Sequence, residues 1–155
     1  MMGGGGQQQL QQLSQELQAI DEEIEELETD VADLEQEKEE IDEAVEAIET
    51  LESGSTVQVP LGGGAYLRAE VQDIDEIIVD LGGDYAAEQE QNDAIEALRV
   101  KQDSLDERIA EVRGEIEDLE DESSELEQQA QQMQQQMQQQ QMQQMQQMQG
   151  DEDGE

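Results

Sequence analysis

The sequence predicts a mainly α-helical protein with a small β segment: a long antiparallel coiled-coil helical hairpin with two central β-hairpins. Three observations support this fold class. Two stretches of the chain place an apolar residue at alternating steps of three and four, and a glycine-rich segment between them alternates apolar and polar residues. Because an apolar stripe with a 3.5-residue repeat is buried only against another helix, the two stretches are expected to pair with each other.

The first apolar ladder predicts an N-terminal coiled-coil helix over residues 7–52, after a flexible N-terminus at residues 1–6. Gly54 follows the helix and is suited to a left-handed cap that ends it. The ladder consists of Leu10, Leu13, Leu17, Ile20, Ile24, Leu27, Val31, Leu34, Lys38, Ile41, Val45 and Ile48.

The second ladder predicts a C-terminal coiled-coil helix over residues 90–132, followed by a Gln/Met-rich tail with an acidic end at 133–155. Residues 128–149 contain only Gln, Met and Ala130, and helix formers of this kind favour partial helicity there. The ladder consists of Ile95, Leu98, Gln102, Leu105, Ile109, Val112, Ile116, Leu119, Ser123, Leu126, Ala130, Met133 and Met137.

The segment 53–89 between the helices predicts two consecutive β-hairpins, with strands at 56–61, 65–71, 76–81 and 85–88. Pro60 cannot donate to a ladder and is expected at an edge or strand end. Because isolated hairpins are marginally stable in water, the strands are expected to pair with strands of other subunits. The predicted assembly residues are Val57, Val59, Leu61, Tyr66, Leu67, Val71, Ile77, Val79 and Leu81.

A register that places Ile48 opposite Ile95 also places Ile41 opposite Gln102, Lys38 opposite Leu105 and Leu10 opposite Met133, so both ladders end together. Basic residues flank this seam. The register predicts pairs of Arg99 with Asp42 or Glu49, of Arg108 with Glu37, and of Arg113 with Glu28 or Glu35. Three seam positions, Lys38, Gln102 and Ser123, are polar. They are interpreted as setting register and loosening the core, with a buried ligand site as the alternative.

The formal net charge is −38, from 44 acidic and 6 basic residues. Such self-repulsion opposes compaction, yet the heptads are intact. Molar salt screens the repulsion, which favours a protein of a halophile; an acidic coiled-coil protein of an ordinary cytosol is the alternative. The charge argues against nucleic acid and anionic membranes as partners.

The composition excludes several classes of function. Because the chain has no Cys and no His, thiol and imidazole catalysis and the usual zinc sites are excluded. The sequence has no phosphate loop of the form GxxxxGK[ST] and no EF-hand spacing. We therefore predict no enzyme, no cofactor and no metal. No apolar run reaches the roughly 20 residues that span a bilayer, and the N-terminus lacks signal-peptide features, so a cytoplasmic location is predicted.

The central motifs resemble those of a known family. VPLGGGAYL at residues 59–67 is followed by IIVDLGGDY at 77–85, and over roughly residues 10–130 the chain resembles the alpha class of prefoldin subunits, in a halophilic archaeal version. Two hairpins rather than one resemble the alpha and not the beta class. The resemblance implies a hexamer of two alpha and four beta subunits, a body of β-barrels built from the hairpins, and coiled coils that hang from it. It also implies that the coil tips bind unfolded polypeptides without ATP and deliver them to a group II chaperonin.

The predicted client-binding tips lie where the two ladders end. Met is flexible and polarizable and suits surfaces that adapt to many partners. For Met133 and Met137, completion of the seam is the competing interpretation. An alternative function is a structural coiled-coil scaffold whose hairpins only mediate oligomerisation. The predicted tip residues are Leu10, Leu13, Leu17, Met133, Met137, Met142, Met145 and Met148.

Overall fold

The computed structural model describes residues 3–152 and divides into two compact units. The terminal unit comprises Met1–Asp30 and Val112–Glu155, and the hairpin unit comprises Val31–Glu111. The elements in chain order are α1 (Gly3–Thr50), β1 (Thr56–Gly62), β2 (Ala65–Glu70), β3 (Ile77–Asp80), β4 (Ala86–Gln89) and α2 (Gln91–Glu152).

Both helices are longer than the sequence predicted. α1 begins at Gly3 rather than near residue 7, and α2 continues to Glu152 rather than ending near residue 132. Extending an existing helix costs little, because each further residue whose backbone is fixed adds one hydrogen bond. Gln and Met are also good helix formers, so α2 continues through the Gln/Met segment. The parts of the predicted flexible N-terminus and acidic end at 1–2 and 153–155 lie outside the described residues.

Burial along the helices follows the predicted heptads. Every residue of both ladders is buried or half-buried, while most residues between them are exposed. Val45 in the hairpin unit and Val112 in the terminal unit are both almost completely buried. In the hairpin unit α1 and α2 run antiparallel, because Lys38, Asp42 and Ile48 of α1 contact Asp106, Arg99 and Gln91 of α2 in reverse order. In the terminal unit Gly6 of α1 lies beside Met137 of α2.

The four strands form two separate antiparallel hairpins in the hairpin unit, β1–β2 and β3–β4. Their ends agree with the prediction to within one residue. Pro60 pairs with Tyr66, and the register shifts between Pro60 and Gly62. Because β1 has a single neighbouring strand among the described residues, Pro60 does lie in an edge strand, where its missing N–H costs no ladder bond.

Gly54 has the left-handed backbone conformation that the sequence predicted, but its amide does not bond to a carbonyl of α1. The Ser55 amide donates to the Glu52 carbonyl at 3.0 Å, and the Gly54 amide donates to the Val71 carbonyl at 2.7 Å. Gly54 has a φ of +92°, which a side chain would disfavour. This glycine therefore turns the chain into β1, after α1 has already ended at Thr50.

Candidate functional site: two exposed apolar surfaces

The side chain of Gln91 ties the start of α2 to the end of α1. Its Nε2 donates to the Ile48 carbonyl at 2.6 Å and to the Leu51 carbonyl at 3.3 Å, groups that a helix end leaves without partners. The Gln91 amide donates to Asp75 Oδ1 at 3.3 Å. The two helices are thus joined directly at the point where the β segment leaves and re-enters the coil.

A polar network occupies the seam around Gln102, where the sequence predicted a loosened core. Gln102 Nε2 donates to the Lys38 carbonyl at 3.1 Å and to Asp42 Oδ1 at 2.8 Å, and Gln102 Oε1 accepts from Arg99 Nη1 at 2.8 Å. Lys38 forms an ion pair with Asp106. These contacts agree with the predicted placement of Ile41 opposite Gln102, because they link Gln102 to residues on either side of Ile41.

Two charged groups of this network have shifted pKa values. Hydrogen bonds from Gln102 and Arg99 lower the pKa of Asp42 below its ordinary value. The hydrogen bond to Asp106 raises the pKa of Lys38. Both shifts favour the charged forms of Asp42 and Lys38.

One of the predicted flanking pairs is confirmed and one is wrong. Arg99 pairs with Asp42 across the seam at 2.8 Å. Arg108 pairs at 3.3 Å with Glu111 on its own helix instead of with Glu37. A residue three positions away on the same helix face is always within reach of a long side chain.

The hairpins carry the first exposed apolar surface, which we call the hairpin surface. Ile78 is 70% exposed, whereas its neighbour Val79 is only 4% exposed and packs within its own unit. Val57, Val71 and Ile77, also predicted for assembly, are half-buried. The hairpin surface therefore consists of Val59, Leu61, Tyr66, Leu67, Ile78, Leu81 and Tyr85.

Sequence reasoning missed Ile78 and Tyr85 as members of the hairpin surface. It chose Ile77, Val79 and Leu81 from one face of β3 and its continuation. The period of two in a strand places Ile78 on the opposite face, and that alternation was the available signal. Which face turns outward depends on what packs beneath the strand.

In the terminal unit, five of the eight predicted tip residues complete the seam. Leu10, Leu13, Leu17, Met133 and Met137 are half-buried. A Cβ built on Gly6 would lie 3.3 Å from Met137 Sδ, so this thioether packs against the start of α1. The competing interpretation of Met133 and Met137 as seam residues agrees with this placement.

The other three predicted tip residues form the second exposed surface, the methionine stripe. Met142, Met145 and Met148 are 70%, 72% and 76% exposed. Their spacing of three places them along one side of α2, and every residue of α2 from Gln138 to Gly150 is exposed. No charged residue lies between Glu127 and Asp151, so the stripe is apolar and uncharged.

Within residues 3–152, no group of three His, Cys, Asp or Glu side chains is arranged to hold a metal ion. Neither long helix in that range contains an apolar stretch sufficient to cross a lipid bilayer.

The fold and its two surfaces define a helical coiled-coil protein interrupted by two β-hairpins. The chain belongs to the prefoldin family, because the family described as prefoldin subunit matches residues 20–147. Membership implies a chaperone-type function as part of a prefoldin complex.

The chain is similar to prefoldin alpha subunits of halophilic archaea. The chain is 73% identical over 112 residues to a prefoldin subunit alpha of Halorubrum lacusprofundi, a match that covers 72% of this chain and 74% of the relative. It is 71% identical over 106 residues to the prefoldin subunit alpha of Haloquadratum walsbyi, covering 68% and 69%. A filamentous PFD of Methanocaldococcus jannaschii, solved by cryo-EM, is 28% identical with a TM-score of 0.32 and coverages of 71% and 93%.

Proposed function

We propose that this chain is an alpha-type subunit of an ATP-independent chaperone that binds unfolded polypeptides through the methionine stripe and delivers them to a group II chaperonin. The observation that carries the proposal is the exposure of Met142, Met145 and Met148 on a stretch of α2 whose residues all face solvent. A row of exposed apolar side chains on a helix is typical of a surface that contacts other proteins. Delivery to the chaperonin rests on family membership.

The chemistry of the stripe suits unfolded polypeptides of many sequences. Burial of apolar surface contributes about 25 cal/mol per Å², so three methionines on one subunit hold a client weakly and several subunits together hold it firmly. Thioether side chains adapt to varied partners. The surrounding Gln residues keep the helix hydrated without adding charge, and release of the client then needs no nucleotide.

The eight predicted tip residues divide between two roles in this proposal. The methionine stripe contacts the client. The half-buried residues Leu10, Leu13, Leu17, Met133 and Met137 hold α1 and α2 together beneath it.

The hairpin surface supports assembly with subunits of the beta class. Leu61, Tyr66, Leu67 and Ile78 are all more than half exposed, and each hairpin has two free edges among the described residues. Two-stranded sheets are marginal alone, so pairing with further strands stabilises them. The proposed complex contains two alpha and four beta subunits joined through a β-barrel body, and the proposal assigns it to the cytoplasm.

Client protection by variants of the stripe tests this function. Truncation after Gln138 removes the stripe but keeps Met133 and Met137, and replacement of Met142, Met145 and Met148 by Gln removes only its apolar groups. Both variants are expected to assemble normally with a co-expressed beta subunit and to lose most of the protection of a denatured client, measured by light scattering in molar KCl.

The matched control replaces Gln141, Gln144 and Gln147 by Ala, the same number of changes beside the stripe. It is expected to protect the client fully. Full protection by the Met-to-Gln variant would assign the stripe to a solvated extension. Absence of protection by the unmodified complex would favour the structural scaffold.

A further inference from the structure

The methionine stripe concentrates the oxidisable groups of the chain. Apart from Met1 and Met2, every methionine lies between residues 133 and 148, and the chain contains no cysteine to compete for oxidants. These five methionine residues differ in exposure. Met133 and Met137 are half-buried, whereas the three residues of the stripe are exposed.

We propose that Met142, Met145 and Met148 form a modification site for peroxides and that their oxidation switches off client binding. The assignment of the site rests on exposure alone. The consequence for client binding rests on the function proposed above.

The reaction is a two-electron oxygen transfer from hydrogen peroxide to the thioether. The sulfur lone pair attacks one peroxide oxygen, the O–O bond breaks, and the second oxygen leaves as hydroxide. Transfer of the proton from the sulfur-bound oxygen to hydroxide gives methionine sulfoxide and water. The sulfur is oxidised and the peroxide is reduced, and the change is reversible by the two methionine sulfoxide reductases, one for each epimer.

Packing in the terminal unit separates the reactive methionines from the protected ones. Met137 is half-buried, and its sulfur lies beside Gly6 of α1, 3.3 Å from the position that a Cβ on that residue would take. Met133 is half-buried as a member of the seam. The stripe has no such cover among the described residues, and its sulfurs are expected to react several-fold faster than those of Met133 and Met137.

Oxidation changes the stripe from apolar to polar without altering its charge. A sulfoxide is a strong hydrogen-bond acceptor, and it replaces a flexible apolar contact with a hydrated group. In the oxidised state α2 presents a continuous polar surface of Gln and sulfoxide, which offers an unfolded polypeptide no apolar area to bury. The hairpin surface, which carries assembly in the proposed function, contains no methionine, so the complex stays assembled.

Limited peroxide treatment of the assembled complex in molar KCl, followed by peptide mass spectrometry, tests the site. Gain of one oxygen atom is expected at Met142, Met145 and Met148 several-fold faster than at Met133 and Met137. Equal rates at all five methionines would overturn the assignment.

Three variants separate the consequence for function from the proposed function itself. Replacing the three stripe methionines by Leu keeps the apolar surface and removes the oxidisable sulfur, so protection of a denatured client is expected to survive peroxide. Replacing Met133 and Met137 by Leu is the control and is expected to lose protection on oxidation, as the unmodified complex does. Treatment with both reductases is expected to restore that protection.

The outcomes distinguish the two hypotheses. If the stripe is oxidised and protection persists, while the Met-to-Gln variant of the stripe fails to protect, the switch is wrong and the proposed function stands. If the Met-to-Gln variant protects fully, the proposed function is wrong, and the switch fails with it whatever the order of oxidation.

Discussion

Single side chains determine how the two helices meet in the hairpin unit. Gln91 supplies hydrogen bonds to two carbonyls at the end of α1, and Gln102 links Lys38, Asp42 and Arg99 across the seam. The Gln91 side-chain amide donates twice, and the Gln102 side-chain amide both donates and accepts. Polar groups in a seam cost some stability and fix the alignment of the helices in return.

Replacement of Gln91 by Ala is expected to destabilise the helical hairpin by about 1–2 kcal/mol, because two backbone carbonyls lose their partners. Urea unfolding of the full-length chain in molar KCl, followed by circular dichroism, measures the change. Asn92→Ala is the control, since Asn92 is an exposed neighbour in the same helical turn. Equal effects of the two changes would mean that the Gln91 contacts add no stability.

The low pKa of Asp42 predicts a pH dependence of stability. Because the folded-state pKa is lowered, the contribution of Asp42 is present above its unfolded pKa of about 3.9 and is lost as the pH falls through the folded pKa. The difference in melting temperature between the unmodified chain and Asp42→Asn is therefore expected to be constant above about pH 5 and to vanish in strong acid.

Comparison with Glu43→Gln isolates this effect from the titration of the other carboxylates. Glu43 is an exposed neighbour, and its replacement makes the same change in net charge. A pH profile for Asp42→Asn that matches the Glu43→Gln profile would show that the contacts with Gln102 and Arg99 do not matter.

At the scale of elements, the helices and the hairpins differ in where their apolar side chains lie. The ladders bury one stripe of each helix and leave the remaining faces exposed. These faces are acidic except in the Gln-rich stretches 7–15 and 128–149. The hairpins instead keep large apolar side chains exposed, among them Tyr66 and Ile78. A contiguous patch of exposed apolar side chains is typical of a surface that contacts another chain.

Charged substitutions on the hairpin surface are expected to block assembly. The double variant Leu67→Lys with Ile78→Lys places two cations on exposed apolar positions, which cannot be buried against a partner strand without a large desolvation cost. Light scattering coupled to size exclusion is expected to show a much smaller particle. Circular dichroism is expected to show unchanged helicity. The control variant Gln58→Lys with Gln72→Lys adds the same charge at exposed polar positions and should assemble normally.

At the scale of the whole molecule, the dominant property is a net charge of −38 on 155 residues. The ion pairs of Lys38 with Asp106, Arg99 with Asp42 and Arg108 with Glu111 lie at the protein surface, and such pairs add little stability. Stability of the folded chain therefore depends on the heptad core and on screening of the acidic faces by the solvent.

Helicity is expected to rise steeply as KCl increases to molar concentration, because the Debye length falls from about 10 Å at 0.1 M to about 3 Å at 1 M. Circular dichroism of the full-length chain measures this. Sucrose at the same osmolality is the control, since it favours compact states without screening charge. A flat response to KCl, or an equal response to sucrose, would contradict the role assigned to charge repulsion.

The sequence alone determined the periodic features of this protein. The 3.5-residue repeat predicted every buried position of the ladders, and the period of two with glycine turns predicted all four strands to within one residue. The predicted register also placed Arg99 beside Asp42 or Glu49, and the structure pairs it with Asp42. These features follow from local geometry that repeats along the chain.

Only the tertiary structure decided which groups outside the repeats meet. The cap at the end of α1 comes from Gln91, forty residues beyond Leu51, rather than from the nearby Gly54. Arg108 forms its ion pair with Glu111 on its own helix. Ile78 rather than Val79 is exposed to solvent. Each outcome depends on a choice among rotamers, or on what packs beneath a strand, and the spacing of residues in the sequence carries no information about either.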